Sequence, residues 1–263
     1  MHLTRSTPAR RTPSVPPAAP GQPGQPAGGR RRAAAAALAG AALLYNGWLL
    51  ELSLPTGLDP RHSYVSELFA ADQPFRALFG GMEIACALLV MAGALAAARD
   101  PLPGAAARGG WWALCGFGAS SLADVLLPMG CAPSLEPACR AVHPWHTVTS
   151  GLVHFFLFAS MALFCVAAAS APSRTPLIRR WGPLLLAGAL VCAVSTVGPL
   201  IGSPGWHGLP QRAHVLLVGL WFALLARELL VSGGGLARGA ASGPLPGTAP
   251  PQHPENRPAG RTS

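Results

Sequence analysis

The chain has 263 residues, of which 51% are hydrophobic and only 11% are charged. An ordinary soluble domain has about 25% charged residues, so this composition argues against a soluble enzyme. The formal net charge of +9 comes from 19 arginines and no lysines, and these arginines lie mainly at the ends of apolar segments and in the two tails, which argues against a nucleic-acid partner.

The two ends of the chain are rich in proline, glycine and polar residues and show no apolar periodicity. Such segments bury too little apolar surface to offset the entropy of ordering them, so residues 1–32 and 233–263 are predicted to be disordered, basic cytoplasmic tails. Residues 33–232 between them form the predicted membrane domain. The apolar run from Ala33 to Leu54 is longer than the apolar part of a signal peptide, which favours a retained membrane anchor.

Six apolar segments follow one another along this domain, each close to the length of about 20 residues that crosses a hydrocarbon core. In chain order they are residues 33–54, 75–98, 111–129, 147–170, 181–201 and 213–232. A segment in lipid must satisfy its backbone hydrogen bonds internally, and none of the six alternates like a barrel strand. The predicted fold class is therefore all-α: a polytopic integral membrane protein with a six-transmembrane-helix bundle and disordered N- and C-terminal tails.

The distribution of arginine predicts the orientation of these spans. With a cytoplasmic N-terminus, ten arginines near the spans lie on the cytoplasmic side: Arg30, Arg31, Arg32, Arg99, Arg108, Arg174, Arg179, Arg180, Arg227 and Arg238. Four lie outside: Arg61, Arg76, Arg140 and Arg212. Because cytoplasmic loops carry the excess of arginine, we expect a multi-pass protein of the bacterial plasma membrane with both termini cytoplasmic.

Two cysteines lie in the predicted outside loop between the third and fourth spans. Cys131 and Cys139 have seven residues between them, and an oxidising exterior favours a disulfide there. Closing such a loop stabilises the fold by about 2–3 kcal/mol on the chain-entropy model. The alternative is that the two thiols bind a metal together with His143 or His146.

Polar residues within the spans concentrate in the outer half of the predicted membrane. His146, Ser150 and His154 are spaced by four residues, which places them near one face of the fourth span. Asp124 can approach that face if the third and fourth spans form a tight hairpin. A carboxylate beside a histidine raises its basicity, and a serine on the same face can serve as a nucleophile, so these four residues are the predicted catalytic group. The alternative is that they only satisfy one another as structural contacts between helices.

A second set of polar residues is predicted to bind a ligand at the outer end of the bundle. It comprises Arg61, His62, Ser66 and Glu67 of the first outer loop, Glu83 of the second span, and His207 and Arg212 before the sixth span. Glu83 either joins the catalytic group or pairs with His154 or Asn46. In the first outer loop, Ser63 is the predicted N-cap of a short helix that has Ser66 or Glu67 in its first turn. This loop either closes the bundle or covers a substrate.

The order of several short motifs resembles a known family. The motifs are Arg61-His62-Ser63-Tyr64-Val65-Ser66-Glu67-Leu68, Asp124 with Pro128, His146, and Gly208-Leu209-Pro210-Gln211-Arg212. Over about residues 36–232 they resemble the bacterial and archaeal six-helix membrane proteins catalogued as domain of unknown function 998, and the cysteine loop and lysine-free composition resemble an actinobacterial member. This resemblance implies a six-helix integral membrane protein and supplies no activity.

The sequence is also similar, more weakly, to membrane-embedded metal-dependent hydrolases of the ceramidase and adiponectin-receptor type. Those proteins hold zinc with serine, aspartate and three histidines, so this similarity implies zinc as a cofactor. The chain departs from their pattern because His207 and His214 are seven residues apart rather than paired as His-x-x-x-His.

Two classes of function fit these residues. The first is a lipid-directed hydrolase or transferase, in which His146 or His154 is the base, Asp124 orients it, and Arg212 or Arg61 binds an anionic headgroup. The second is a non-catalytic carrier of a lipid or solute, or a membrane assembly subunit, in which the same residues form a gate or a proton site. Membrane lipid is the predicted partner in the first class, an outward-facing polar pocket is expected in both, and the sequence indicates no protein partner.

Overall fold

The computed structural model describes residues 27–99, 104–140, 142–203 and 205–241, with side chains described between residues 28 and 232. The six α-helices are Ala27–Tyr45 (α1), Arg76–Ala98 (α2), Ala105–Leu126 (α3), Pro144–Ser170 (α4), Pro176–Val194 (α5) and Gly208–Ala241 (α6). Three short 3₁₀ helices, Gly47–Leu52, Val65–Phe69 and Gly198–Ile201, lie between them. Every regular element in the described part of the chain is thus helical, as predicted.

The first and last helices extend beyond the predicted membrane domain. α1 begins at Ala27, in the predicted N-terminal tail, and α6 continues to Ala241, in the predicted C-terminal tail. Adding a residue to an existing helix costs far less than nucleating a new one, so a polar segment can continue a helix that the apolar segment has formed. The remainder of the predicted tails, residues 1–26 and 242–263, lies outside the described residues.

Five helical segments are long and apolar enough to cross a membrane. They are Gly28–Leu52, Arg76–Ala98, Pro144–Ser170, Pro176–Ile201 and Gly208–Ser232. α3 has 22 residues but is not among them, because its glycines, serines and charged residues lower its mean hydropathy. The prediction of six helices is confirmed, and the prediction of six membrane spans is confirmed for five.

The six helices form a closed ring in chain order. Each helix packs against the next one, and α6 packs back against α1. Aromatic side chains fill the inside of the ring: Tyr45, Phe117 and Phe222 meet edge to face with ring centroids 5.8, 5.6 and 5.5 Å apart. These contacts bring together α1, α3 and α6, so the middle of the bundle is packed with side chains rather than open.

Successive helices run in alternating directions. The backbone N–H of Ala71, just before α2, donates to the carbonyl of Met129, just after α3, at 2.8 Å. The N–H of Gly208, where α6 begins, donates to the carbonyl of Arg61 at 3.0 Å. The ends of α1, α3 and α5 therefore meet the beginnings of α2, α4 and α6 at one face of the ring.

A single segment, residues 53–75, extends across this face. We call it the cover segment, and the face on which it lies the cover face. Tyr64, rather than the predicted Ser63, is the N-cap of the 3₁₀ helix Val65–Phe69, and the Glu67 carboxylate accepts a hydrogen bond from its N–H at 2.8 Å. Ser63 lies one residue too early, and its hydroxyl donates to the carbonyl of Asp59 at 2.8 Å. The sequence left two roles open for this loop, closing the bundle or covering a substrate. The structure matches the first.

Candidate functional site

A polar cluster joins α3 and α4 in the half of the ring near the cover face. Oδ1 of Asp124 accepts hydrogen bonds from Thr149 Oγ1 at 2.6 Å and from Ser150 Oγ at 2.8 Å. The same oxygen lies 3.2 Å from Nδ1 of His146, and Nε2 of His146 lies 3.4 Å from Ser150 Oγ. Asp124 and His146 are 8% and 6% exposed, so the cluster is shielded from the surroundings.

Small residues on α3 allow this close approach. A Cβ atom at Gly116 would lie 2.6 Å from the Phe156 ring of α4, and one at Gly118 would lie 2.8 Å from the carbonyl oxygen of Ala87 on α2. Glycine at these positions lets α3 pack tightly between its two neighbours, as small residues do in membrane helix pairs. The tight hairpin predicted between the third and fourth spans is present, and with it the predicted contact between Asp124 and His146.

His154 makes no hydrogen bond to a side chain of the cluster, although it lies close enough to Asp124 to interact with it electrostatically. Each step of four residues turns a helix by about 40° beyond a full circle, so two steps rotate His154 toward α6. Its ring stacks on His214 with centroids 5.0 Å apart and an angle of 18° between the planes. His214 is 2% exposed, and it joins a site in which the sequence predicted only His154.

The hydrogen bonds of these two histidines fix their tautomers. Nδ1 of His154 lies 2.8 Å from the carbonyl oxygen of Ser150, and Nδ1 of His214 lies 2.9 Å from that of Ala189. A carbonyl oxygen only accepts, so each neutral ring carries its hydrogen on Nδ1. Nε2 of each ring then presents a lone pair, which can accept a proton or a hydrogen bond.

Glu83 on α2 extends the cluster to a third helix. Its carboxyl group faces Ser121 on α3 and is close enough to Asp124 and Tyr45 to interact with them electrostatically. The predicted pairing with His154 or Asn46 is wrong: His154 stacks on His214, and the Asn46 amide donates to the carbonyl of Ala42 at 2.9 Å on its own helix. Of the two alternatives for Glu83, the structure favours membership of the Asp124 cluster.

Arg212 is engaged by the protein itself and is not free for the predicted lipid headgroup. It is 4% exposed, and it makes a two-pronged ion pair with Glu51. Its remaining donors bond the carbonyl oxygens of Pro60, Ser63 and Gly208 and the hydroxyl of Ser63 at 2.8–3.3 Å. Only Arg61 of the two predicted headgroup ligands is exposed, where it pairs with Asp59 at 3.2 Å.

The other predicted binding residues of the cover segment mainly hold that segment in place. Glu67 is 1% exposed and accepts hydrogen bonds from the N–H and hydroxyl of Ser134 at 3.0 and 2.5 Å. The Ser66 hydroxyl lies 3.6 Å from the sulfur of Met129. His62 is exposed, and its Nδ1 lies 3.3 Å from the carbonyl oxygen of Gly205.

His207 and Tyr64 form a further contact on the cover face. Their ring centroids are 4.5 Å apart, and the Tyr64 hydroxyl donates to the carbonyl of Thr196 at 2.9 Å. Burial, reinforced by the negative charge of Glu67, raises the pKa of Tyr64 to about 12. Burial also lowers the pKa of His207 from its ordinary value, because a buried ring disfavours the charged form.

The motifs that resembled a family thus lie on the cover face and in the α3–α4 hairpin. The family described as "Protein of unknown function (DUF998)" matches residues 38–228. The chain belongs to the DUF998 family. No curated protein and no solved structure matches it, so the roles of the DUF998 chain's residues are argued below from its own geometry.

The predicted disulfide of this DUF998 chain is present between Cys131 and Cys139, whose Cα atoms are 6.0 Å apart. His143 lies beside it, with Nε2 3.6 Å from the sulfur of Cys139 and Nδ1 accepting from the N–H of Gly130 at 3.3 Å. These three residues are also the ones that the alternative metal site would use. A sulfur in a disulfide is no thiolate, so the metal site would require the reduced form. His146, the other predicted ligand, faces Asp124 instead.

A zinc site in the membrane interior has less support than a metal site at the disulfide loop. In the ranges that the structure describes, Cys131, Cys139 and His143 are the one set of three potential ligands within 4.8 Å of one another. Asp124, His146, His154 and His214 do not converge in this way. The arrangement implied by the similarity to zinc hydrolases is therefore not assembled by these residues.

Three contributors to the polar layer were missed as site residues. Thr149 follows His146 by three residues, so helical spacing could have placed it beside Asp124. His214 and Glu51 carry no such signal, because their partners lie on other helices. The partner of Glu51 is 161 residues away along the chain.

Proposed function

We propose that this DUF998 chain is a membrane enzyme that hydrolyses or transfers a group on a lipid. Ser150 is the nucleophile, His146 the general base, and Asp124 the residue that orients His146. One observation carries the proposal: the three side chains meet in one cluster, with the imidazole of His146 3.2 Å from Asp124 on its Nδ1 side and 3.4 Å from Ser150 on its Nε2 side, and with the Ser150 hydroxyl donating to Asp124 at 2.8 Å. In the order carboxylate, imidazole and hydroxyl, these are the three groups that serine acyl-transfer enzymes use.

The reaction follows from this order. The hydroxyl hydrogen of Ser150, which now points to Asp124, rotates toward Nε2 of His146, which is within reach without a movement of the oxygen. As Oγ attacks the carbonyl carbon of a lipid ester, Nε2 takes the proton, and the same proton then passes to the departing alcohol. Water or a second alcohol, deprotonated by Nε2, then attacks the acyl carbon, and the proton on Nε2 returns to Oγ of Ser150 as that oxygen leaves. Asp124 stabilises the imidazolium that forms in each step.

We infer the topology from the same geometry. α3 supplies the sixth span, because it begins after the far end of α2, and the bond between Ala71 and Met129 joins the segment before α2 to the segment after α3. A helix that runs from one face of the ring to the other crosses the membrane together with its neighbours. Together with the arginine asymmetry, this supports a topology with both termini in the cytoplasm of a bacterial plasma membrane and the cover face outside.

A serine-reactive fluorophosphonate probe tests the activity. We expect it to label purified wild-type protein, and Ser150→Ala to abolish the labelling. Ser160→Ala is the matched control, since Ser160 is a fully buried serine of the same helix with no hydrogen-bond partner for its hydroxyl among the described residues. Equal labelling of wild type and Ser150→Ala would contradict the proposal, as would an unlabelled wild type.

The stacked histidines support a second candidate function, a proton-coupled carrier. His154 and His214 come from α4 and α6, and both offer an Nε2 lone pair inside the ring. Protonation of both rings would place two positive charges in contact, and their repulsion is a means of driving helices apart. Uptake of a solute or lipid driven by a pH gradient, lost in His214→Gln and retained in Ser150→Ala, would favour the carrier over the enzyme.

A further inference from the structure

A groove with a volume of about 370 Å³ runs along the outside of the ring where α2 faces α3. Its lining is Phe69, Arg76, Ala77, Gly80, Gly81, Ile84 and Val125. Six of these seven residues are apolar or glycine, and the seventh is Arg76. The α2 positions recur at intervals of three and four residues, so they form one face of the helix. The volume lies within the range of about 300–1,000 Å³ that ligand pockets show.

Two glycines on α2 keep the groove open. A Cβ atom at Gly81 would have no other atom within 4 Å, so this position faces open space. At Gly80 a Cβ atom would lie 3.3 Å from Val125 of α3, which forms the opposite wall. A larger side chain at position 81 would therefore occupy the groove without disturbing the packing of the helices.

Arg76 is the charged residue of the groove and lies at its end near the cover face. It is the first residue of α2, and its side chain is exposed. No described residue forms an ion pair with it, and the nearby Asp72 accepts from the side-chain amide of Gln73 at 3.3 Å. From Arg76 to Ile84 the helix rises about 12 Å, so the groove descends from the end of the helix into the apolar span.

We propose that this groove binds an anionic phospholipid of the surrounding bilayer. The phosphate pairs with the guanidinium of Arg76 at the membrane interface, and one acyl chain lies along Gly80, Gly81 and Ile84. An unpaired positive charge above an apolar channel matches the two parts of such a lipid, whereas a free phosphate would match only the charge. Phe69 forms part of the wall and also meets the ring of His146, with centroids 6.2 Å apart. The site stands whether or not the Asp124 cluster is catalytic.

Photo-crosslinking of full-length protein tests the site. The protein is placed in nanodiscs of phosphatidylcholine with a trace of phosphatidylglycerol that carries a diazirine in one acyl chain, and crosslinked peptides are mapped by mass spectrometry. We expect crosslinks on the part of α2 that contains Gly81 and Ile84, and on Val125. Gly81→Leu should reduce them to the level seen on other lipid-facing helices.

The matched control for the groove is Gly151→Leu. Gly151 on α4 is exposed, and a Cβ atom there would also have nothing within 4 Å, so the substitution adds the same side chain outside the groove. Groove crosslinks that persist in Gly81→Leu, or that fall equally in Gly151→Leu, would overturn the proposal. Wild-type crosslinks confined to other helices would overturn it as well.

The role of Arg76 is tested by competition with unlabelled lipid. Arg76→Gln should reduce the preference for phosphatidylglycerol over phosphatidylcholine by about fivefold, the effect of one arginine near a membrane surface. Arg140→Gln, an exposed arginine of the disulfide loop, is the charge-matched control and should leave the preference unchanged. An unchanged preference in Arg76→Gln would contradict the assignment of the phosphate. Both readouts measure binding, so their outcome is separate from that of the Ser150 labelling.

Discussion

Arg212 on α6 binds Glu51, in the 3₁₀ helix Gly47–Leu52 that follows α1, through two parallel hydrogen bonds, Nε to Oε1 at 2.5 Å and Nη2 to Oε2 at 2.6 Å. This pair closes the ring, because α1 and α6 are its first and last helices. The side chain of Arg212 is 5% exposed and that of Glu51 is 1% exposed. The arginine also bonds three carbonyl groups of α6 and the cover segment. One buried arginine thus connects both the first and the last helix of the ring to the cover segment.

Breaking this ion pair should destabilise the protein strongly. Glu51→Leu leaves an uncompensated buried arginine, so the free energy of unfolding in detergent should fall by about 3–5 kcal/mol. The double variant Glu51→Leu with Arg212→Met should be more stable than Glu51→Leu alone, because no charge remains unpaired. Arg61→Gln at an exposed arginine is the control. A loss below about 1 kcal/mol in Glu51→Leu would show that the pair contributes no more than a surface salt bridge.

Asp124→Asn should separate the chemistry of the cluster from its packing. Asparagine keeps an oxygen that accepts from Thr149 and Ser150, but it carries no charge to stabilise the imidazolium of His146. We expect fluorophosphonate labelling of Ser150 to slow by about 10²-fold or more, with little change in thermal stability. Labelling at the wild-type rate would show that Asp124 has a structural role alone.

The disulfide predicts a specific pattern of thiol labelling. Reduction should expose two additional modified cysteines, Cys131 and Cys139, in the unfolded protein. The double variant with serine at both positions should lose about 2–3 kcal/mol of stability, because the unfolded chain is no longer constrained. Cys192→Ser, at a free cysteine of α5, is the control. Full labelling of both loop cysteines before reduction would refute the bond.

Reporter fusions distinguish six spans from five. A reporter placed after residue 240 should be active only in its cytoplasmic form, and one inserted at Glu136 in the disulfide loop only in its external form. If α3 did not cross, the N-terminus and residue 240 would lie on opposite sides of the membrane. An external reporter that is active after residue 240 would therefore defeat the six-span topology.

The contact between His207 and Tyr64 should depend on pH. The pKa of His207 is lowered in the folded state from its ordinary 6.5, because burial disfavours the charged ring. The unfolded chain therefore binds the proton more readily, so this contribution is complete above pH 6.5 and is lost as the pH falls through the folded-state pKa. When the pH is lowered from 7, the melting temperature of His207→Gln should fall less than that of wild type. His62→Gln removes only a minor charge effect on His207, so its slope should stay closer to that of wild type than the slope of His207→Gln does.

Contacts within one helix or one hairpin were accessible from the sequence. The spacing of His146 and Ser150 and the short connection between α3 and α4 sufficed to predict their meeting with Asp124. The disulfide was accessible for the same reason, since its cysteines are close along the chain. The stacking partner of His154 was not accessible, because the small rotation of each four-residue step accumulates, and only the packing of α6 decides which neighbour the side chain meets.

The sequence by itself determined that this is a helical membrane protein, where its helices lie, and that its polar groups cluster toward one side. These properties follow from hydropathy and periodicity, which are local along the chain. Only the tertiary structure decided that α6 closes the ring on α1, that Arg212 serves Glu51 rather than a lipid, and that Arg76 heads an open groove. Each of these depends on which distant side chains share a buried space, and burial energy is set by the partners that the fold supplies.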